Sequence, residues 1–498
     1  MRNSRKAIAV LGLLALLGAL IGNHQPVVLA YGGSQPESQS AGDSEPAASA
    51  EVPAGEIYIP LVLTPPVYQP LGGTPRVNVP YFPDSVVYEE TAIFWFGKIN
   101  QDENYADVRV GYSNSELFVH LTIFDRLLWY DTKPTEADLV AWDSASLYLH
   151  LDGNTGEAPD ANTFRFTGQL NWFEDRAGYQ SASIGNGADW VGSATQFTTE
   201  VGHRGNPNNT SRDNGWRLTY HIPFSSLGLS GPPEQGKIWG IGVALHDRDD
   251  AQGPARPDEV WPMGMDTGRP ATWGELRFGL PAYDTPAAVQ AGSTLIRNGL
   301  NGVAVQDGMV GGSTNCGEGL DYFTQWGETN YYGASKINVQ NQYDVADFPC
   351  FSKYYLTFPL SSLPAGKVIL SATLTMYQFG NAGGGEWGDP PRSLIQVMIA
   401  GGDWDEGTIT WNNAPQMLEN VSRSWVDPVP AGTNWPGLPR TWDVSRAVAE
   451  VYKSGGPLRL VLYSADSARH TGKYFVSSYT NSYGTDWRPA LEIVWGNP

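Results

Sequence analysis

The chain has 498 residues, enough for two or three domains that each bury a core, and 52 acidic against 31 basic residues give it a formal net charge of −21. Such a surface repels nucleic acid and anionic membrane, which both need basic patches. No His-Glu-x-x-His, Gly-x-Ser-x-Gly or phosphate-loop pattern occurs, so the chemistries those motifs carry find no support.

At the N-terminus, Arg2, Arg5 and Lys6 precede an apolar run from Ala7 to Gly22, and Val28-Leu29-Ala30 supplies small residues for cleavage. That is the pattern of a secretory signal peptide over residues 1–30. The mature protein is therefore expected to be secreted or held at the cell surface, and losing three positive charges takes it from −21 to −24. No later run of about 18 apolar residues follows, so no membrane insertion is expected after cleavage. Residues 31–73 are rich in Ser, Glu, Pro and Gly and read as a tether. Ile57 to Leu63 is its one apolar stretch, a short strand that Pro60 confines to a sheet edge.

Residues 74–280 alternate with a period of two. Leu117, Val119, Leu121 and Ile123 share a face, as do Ala145, Leu147, Leu149 and Leu151, and Trp216, Leu218, Tyr220 and Ile222. Helical periodicity is nearly absent and Gly and Pro recur about every ten residues, which predicts an antiparallel β-sandwich. The ordered segments Ala106 to Trp129, Trp142 to Asn154, Gly215 to Leu229, Gly236 to Asp250 and Pro270 to Gly279 resemble family 9 carbohydrate-binding modules. The resemblance implies a jelly-roll-like sandwich, often calcium-stabilised, that holds sugar between aromatic rings on loops. The family's usual Asp-Gly opening followed by a Trp is not evident before Ala106.

Trp129 and Trp142 flank the polar loop Tyr130 to Ala141, and Trp261 follows the acidic loop His246 to Val260. On comparable loops the resemblance places sugar-stacking rings, so these three are the expected carbohydrate-binding residues. Asp247, Asp249 and Asp250, with Asp258 and Glu259 near them, and Asp152 with Asn154 across Gly153, form oxygen-rich loops of the kind that suit Ca2+. Plainly solvated acids are the alternative.

Asp284 to Val289 reads as a linker, with residues 281–287 outside either domain. Within residues 288–498 the stretch GDWDEGTITWNNAP, Gly402 to Pro415, reads as a sandwich corner. Thr408 to Trp411 alternates like a half-buried strand, and Asn412, Asn413 and Pro415 are turn formers. Asp405 and Glu406 are adjacent, so on a strand their side chains would point to opposite faces and could not flank one glycosidic bond. Glu406 reads as a structural acceptor. Together with Asn330 to Val339, Tyr354 to Tyr377, Thr441 to Gly455 and Tyr474 to Trp495, this stretch resembles the DNRLRE domain, a disaggregatase-related jelly-roll module that overlaps carbohydrate-binding modules. A helix is predicted over Val444 to Ser454, capped by Asp443 and ended by Gly455. Cys316 and Cys350 are the only cysteines, and in an exported chain they are expected to pair.

The fold class that follows is all-β: two tandem jelly-roll-like antiparallel β-sandwiches, the second with one short helix. The function that follows is an exported, non-catalytic polysaccharide-binding protein acting on cell-wall or extracellular glycan, with Ca2+ as its one candidate cofactor. An enzyme that degrades glycan as a hydrolase or lyase of disaggregatase type, and a structural surface or adhesion protein that binds protein partners, are the alternatives. Among exposed aromatics of the second domain, Trp387, Trp425 and Trp435 lie in Gly- and Pro-rich loops and are further candidates.

Overall fold

The period-two runs are strands, and their apolar faces point inward. A computed structural model describes residues 73–171, 175–316, 319–345, 348–481 and 484–498. The signal-like segment, the tether and the strand expected over Ile57 to Leu63 lie outside them. Glu116–Phe124, Ser144–His150 and Gly215–Pro223 carry the three alternating sets read above. Leu117, Val119, Leu121, Ala145, Leu147, Leu149, Leu218 and Ile222 are all buried. The architecture is all-β and sandwich-like.

In the N-terminal half a five-stranded antiparallel sheet runs in the order Ala92–Gly97, Tyr105–Tyr112, Glu116–Phe124, Gly215–Pro223 and Thr198–Arg204. Its partner layer runs from Arg76–Val79 through Gly274–Phe278, Ile238–His246, Ser144–His150, Thr163–Gln169 and Gln180–Gly185 to Trp190–Ser193. In the C-terminal half a six-stranded sheet centres on the long strand Val368–Asn381. It is packed with the layer Gln306–Gly311, Ser352–Phe358, Leu458–Ser464, Ser393–Ala400 and Met417–Val426.

The two partner layers are one sheet, 13 strands among the described residues. Arg76–Val79 joins them, lying parallel to Gly274–Phe278 on one side and meeting Met417–Val426 at Arg76 and Glu419 on the other. Buried asparagines complete the joint: the Asn78 amide N–H donates to Asn420 Oδ1 at 2.7 Å, and Asn420 Nδ2 donates to the Asn78 carbonyl at 2.8 Å. These side chains replace the ladder bonds that the short parallel contact leaves unmade.

Alternation predicts that the polar residues of Tyr105–Tyr112 and Glu116–Phe124 face water. Instead Asp107, Arg109, His120 and Thr122 are buried, because the C-terminal half covers that face. Arg109 donates to the Gln342 carbonyl at 2.7 Å, and Thr122 donates to the Tyr343 carbonyl at 2.8 Å. Lys353, 1% exposed, projects into a cage whose ring centroids lie 3.6 Å (Trp411), 4.3 Å (Trp95), 4.7 Å (Tyr105) and 5.0 Å (Tyr463) from its Nζ. Trp95 and Tyr105 come from the N-terminal half, Trp411 and Tyr463 from the C-terminal one.

The segment Thr408 to Trp411 is not a strand but part of a turn-rich loop. Asn413 is the reason. Its Nδ2 donates to the Thr408 carbonyl at 2.8 Å and its Oδ1 accepts from the Thr410 N–H at 2.7 Å, filling the bonds a neighbouring strand would have supplied. Asn412 does the same across the halves: Oδ1 accepts from the Ile99 N–H at 2.8 Å and Nδ2 donates to the Ile99 carbonyl at 3.0 Å.

The helix spans Ser445–Ser454. Asp443 Oδ1 accepts from the Ser445 N–H at 2.9 Å, and Gly455 ends the helix at φ +77°, the left-handed conformation in which a Cβ would be strained. Cys316 and Cys350 are joined by a disulfide. Among the described residues no helix is long and apolar enough to cross a membrane.

Candidate functional site: a buried carboxylate pocket and exposed aromatic loops

Three aspartates terminate or begin strands at one end of the N-terminal sandwich. Asp125 follows Glu116–Phe124, Asp143 precedes Ser144–His150, and Asp247 follows Ile238–His246. Because His246 pairs with Ser144 in antiparallel register, Asp247 and Asp143 are brought side by side. One carboxylate oxygen from each of the three lies within 4.8 Å of the others, and all three residues are buried.

Asp143 is held firmly. Its Oδ2 accepts from the Trp129 N–H at 2.6 Å and its Oδ1 from the Arg248 N–H at 3.0 Å. Asp125 Oδ1 accepts from the Leu127 N–H at 3.0 Å. Asp125 Oδ2 and Asp247 Oδ1, by contrast, are buried without a hydrogen-bond partner. Buried oxygens left this way cost free energy unless something neutralises them.

Burial, followed by the charges of its carboxylate neighbours, pushes Asp125 and Asp143 well above the usual range, and Asp247 is pushed up to about 7 by burial and Asp249. Glu259 stands beside them at about 8, again through burial first. Its Oε1 accepts from the Asn104 N–H at 3.1 Å and its Oε2 has no partner. Clustered, desolvated, hard oxygen donors with unfilled valence fit a divalent cation of the calcium type, which takes 6–8 oxygen ligands.

Of the residues expected from the sequence to hold metal, only Asp247 belongs to this cluster. Asp249 is turned toward Arg256, whose Nε donates to it at 2.6 Å. Asp250 is exposed and accepts from the Gln252 N–H at 2.7 Å, closing its own turn. Asp152 accepts from Asn162 Nδ2 at 2.7 Å, and Asn154 Nδ2 donates to the Trp273 carbonyl at 3.4 Å. Asp125 and Asp143 lie outside both acid-rich loops, so local acid density does not mark them. The usable signal was a single Asp at each of three neighbouring strand ends.

The expected sugar-stacking tryptophans also move. Trp261 is 0% exposed and lies 4.1 Å from the Phe94 ring, so it is a core residue and offers no face to a ligand. Strand Glu259–Trp261 pairs with Ile238–His246 and carries its ring inward. Trp129 is buried too, its backbone committed to Asp143. Trp142 is half-buried under the Arg248 guanidinium, 4.5 Å above its ring. Trp129 thus meets the carboxylate cluster through its backbone, and Trp142 lies under the same Arg248 whose N–H donates to Asp143. In the C-terminal half Trp387 is 62% exposed, backed by His470 at 4.5 Å, and Trp425 lies under Arg392 at 3.9 Å.

One arrangement has the connectivity of a hydrolytic relay: Ser146 Oγ lies 2.9 Å from His246 Nε2, and His246 Nδ1 lies 2.9 Å from Asp258 Oδ1. Ser146 is 0% exposed and also bonds Thr167 Oγ1 at 2.9 Å, so no substrate carbonyl can approach its Oγ. Ser146 and His246 belong to the sheet's buried polar packing, with Asp258 at its exposed rim.

Comparison with known proteins returns no match among curated sequences. A family 9 carbohydrate-binding module from Caldicellulosiruptor kristjanssonii, solved with cellotriose, is similar at 15% identity, covering 44% of this chain and 99% of that one with a TM-score of 0.30. The module from the same organism solved with glucose aligns at 15% identity over 42% of this chain and 100% of its own, with a TM-score of 0.31. Residues 322–491 match the model of carbohydrate-binding module family 96.

Proposed function

We propose that this is an exported, non-catalytic polysaccharide-binding protein, acting on cell-wall or extracellular glycan, whose N-terminal sandwich is stiffened by Ca2+. The match of residues 322–491 to a carbohydrate-binding module family is the observation that carries the reading. The enclosure of Ser146 supports the non-catalytic part, and the signal-like N-terminus supports export. Asp125, Asp143 and Asp247 would hold the ion, which would supply the positive charge that Asp125 Oδ2 and Asp247 Oδ1 lack. Its role is structural: it would pin three strand ends and the loops that follow them.

Screening the mature chain on a glycan array with 2 mM Ca2+, roughly the level at which weak extracellular sites fill, tests the proposal. Binding to one or more polysaccharides without release of reducing ends or unsaturated products is the expected result. Steady product formation would overturn the non-catalytic reading.

A further inference from the structure

Three loops of the C-terminal half meet at the surface. Asn330 anchors the first to the second, its Nδ2 donating to the Glu406 carbonyl at 3.0 Å and to the Ile409 carbonyl at 2.7 Å. Asn330 Oδ1 also accepts from the Tyr332 N–H at 2.9 Å, a side-chain turn that fixes where Tyr332 leaves the backbone. The third loop is tied to the first, since Ser477 Oγ donates to the Ala334 carbonyl at 2.6 Å and accepts from the Tyr479 N–H at 3.0 Å. From below, Asp307 Oδ2 accepts both the Ser478 N–H at 2.5 Å and the Tyr354 hydroxyl at 2.6 Å.

What this scaffolding presents is a pair of rings and a carboxylate. Tyr332 is 60% exposed and meets Tyr479 edge to face, with centroids 5.4 Å apart and planes at 73°. Glu406 neighbours the Tyr479 hydroxyl, whose pKa is raised by burial and then by the Glu406 and Tyr332 side chains. A lone exposed tyrosine needs no explanation. An open ring held by three mutually tied loops beside a carboxylate is different, because the ordering has been completed before any ligand arrives.

We propose that Tyr332, Tyr479 and Glu406 form a subsite for one uncharged sugar residue, its C–H face on Tyr332 and its hydroxyls donating to Glu406. This rests on the glycan-binding reading above. The choice of an uncharged sugar comes from the surroundings. Glu406 is preceded along the loop by the exposed Asp405, and the nearby Asp403 is neutralised by Arg459, so the two remaining carboxylates make the local field negative and disfavour a uronate. An apolar sugar face on a tyrosine ring, with a carboxylate accepting from vicinal hydroxyls, is the usual division of labour in such sites.

The test uses the mature full-length chain and its Tyr332→Ala, Tyr479→Phe and Glu406→Gln variants. Each is titrated calorimetrically with cellohexaose, laminarihexaose, a glucosamine hexamer and a mannuronate hexamer. We expect one of the two uncharged hexamers to bind, with Tyr332→Ala at least tenfold weaker, Glu406→Gln several-fold weaker, and melting temperatures unchanged. Tyr479→Phe keeps the ring and separates the hydroxyl's contribution from packing. If the wild type binds an uncharged hexamer and all three variants bind it equally, the subsite is overturned while the glycan reading stands. If a charged hexamer binds more tightly than either uncharged one and the variants weaken it, the uncharged assignment is overturned. A wild type that binds none of these hexamers overturns the subsite, and if it also binds no polysaccharide on the array the glycan reading falls with it.

Discussion

The Lys353 cage and the Asp125–Asp143–Asp247 pocket are both ionisable clusters sealed from water, yet they are finished to different degrees. In the cage every ionisable atom has a partner. Lys353 Nζ donates to the Tyr105 hydroxyl at 2.5 Å, and Asp107 accepts from Tyr105 at 2.8 Å, Tyr463 at 2.7 Å and Asn341 at 3.2 Å. In the pocket two carboxylate oxygens have none, and like charges face each other. A completed cluster is a joint, and an uncompleted one is the candidate site for the ion proposed above. Each prediction below removes one element of that contrast.

The largest effect belongs to the joint. Trp411 is buried against Tyr105, Tyr463 and Lys353, so Trp411→Ala should cost about 3–5 kcal/mol. Since its neighbours come from both halves of a shared core, urea unfolding of the variant should remain one transition at lower midpoint. Two separated transitions would break the idea that the cage joins the halves. Lys353→Met keeps the volume but removes the cation facing Asp107, and breaking a buried pair from one side costs about 3–5 kcal/mol, so it too should lower the midpoint.

Removing the proposed calcium comes next. An ion bound only by the folded state at a hundredfold excess over its Kd stabilises by about 2.7 kcal/mol, so EDTA should lower the melting temperature by several degrees. The effect has a defined pH course. Asp247 rises from 3.8 unfolded to about 7 folded, so without metal the folded state binds more protons than the unfolded one between those values. Stability of the metal-free protein therefore falls as pH rises from about 4 to about 7, and is fully present only below the unfolded value. The calcium-induced rise in melting temperature should be largest above pH 7 and fade as protons compete below it. A pH-independent shift would show that these carboxylates are not the ligands.

Within the pocket, Asp125→Asn substitutes an isosteric neutral group at the carboxylate with an unpartnered oxygen. Its metal-free stability at pH 8 should match or exceed that of the wild type by about 0–1 kcal/mol, because like-charge repulsion is relieved. Its melting temperature should no longer respond to Ca2+. A variant that keeps the response would move the ion elsewhere.

The strands were legible because burial on one face repeats with a period of two whatever the fold does next. The covering of the second face was not, since Asp107, Arg109, His120 and Thr122 look like solvent residues until residues 341–344 are folded onto them. Trp261 was misplaced for the same kind of reason: following an acidic loop does not decide which way a ring points, and pairing with Ile238–His246 turned it onto Phe94. The carboxylate cluster depends on strand register, a three-dimensional property that local acid density does not report. The GDWDEGTITWNNAP stretch was recognisable as an organising corner, but its partner across the halves, Ile99, leaves no mark in the local sequence.

The smallest effects sharpen the contrast most cheaply, because Asp249 and Asp152 sit near acidic loops yet already have partners. Asp249 is engaged by Arg256, which is partly exposed, and exchanges of this kind typically cost 0–1 kcal/mol. Asp152 shares one bond with Asn162 at the surface. Asp249→Ala and Asp152→Asn should each leave stability within about 1 kcal/mol of wild type and the calcium-induced melting shift intact. The first is the more searching of the two, because Asp249 also contributes to the raised proton affinity of Asp125 and Asp247, so its removal should slightly ease the metal-free state at neutral pH. Calorimetric melting with and without EDTA measures both quantities in one experiment. Loss of the shift in Asp249→Ala, with Asp125→Asn retaining it, would mean that the ion sits in the acidic loop read from the sequence and that the unpartnered oxygens of the pocket are filled by water.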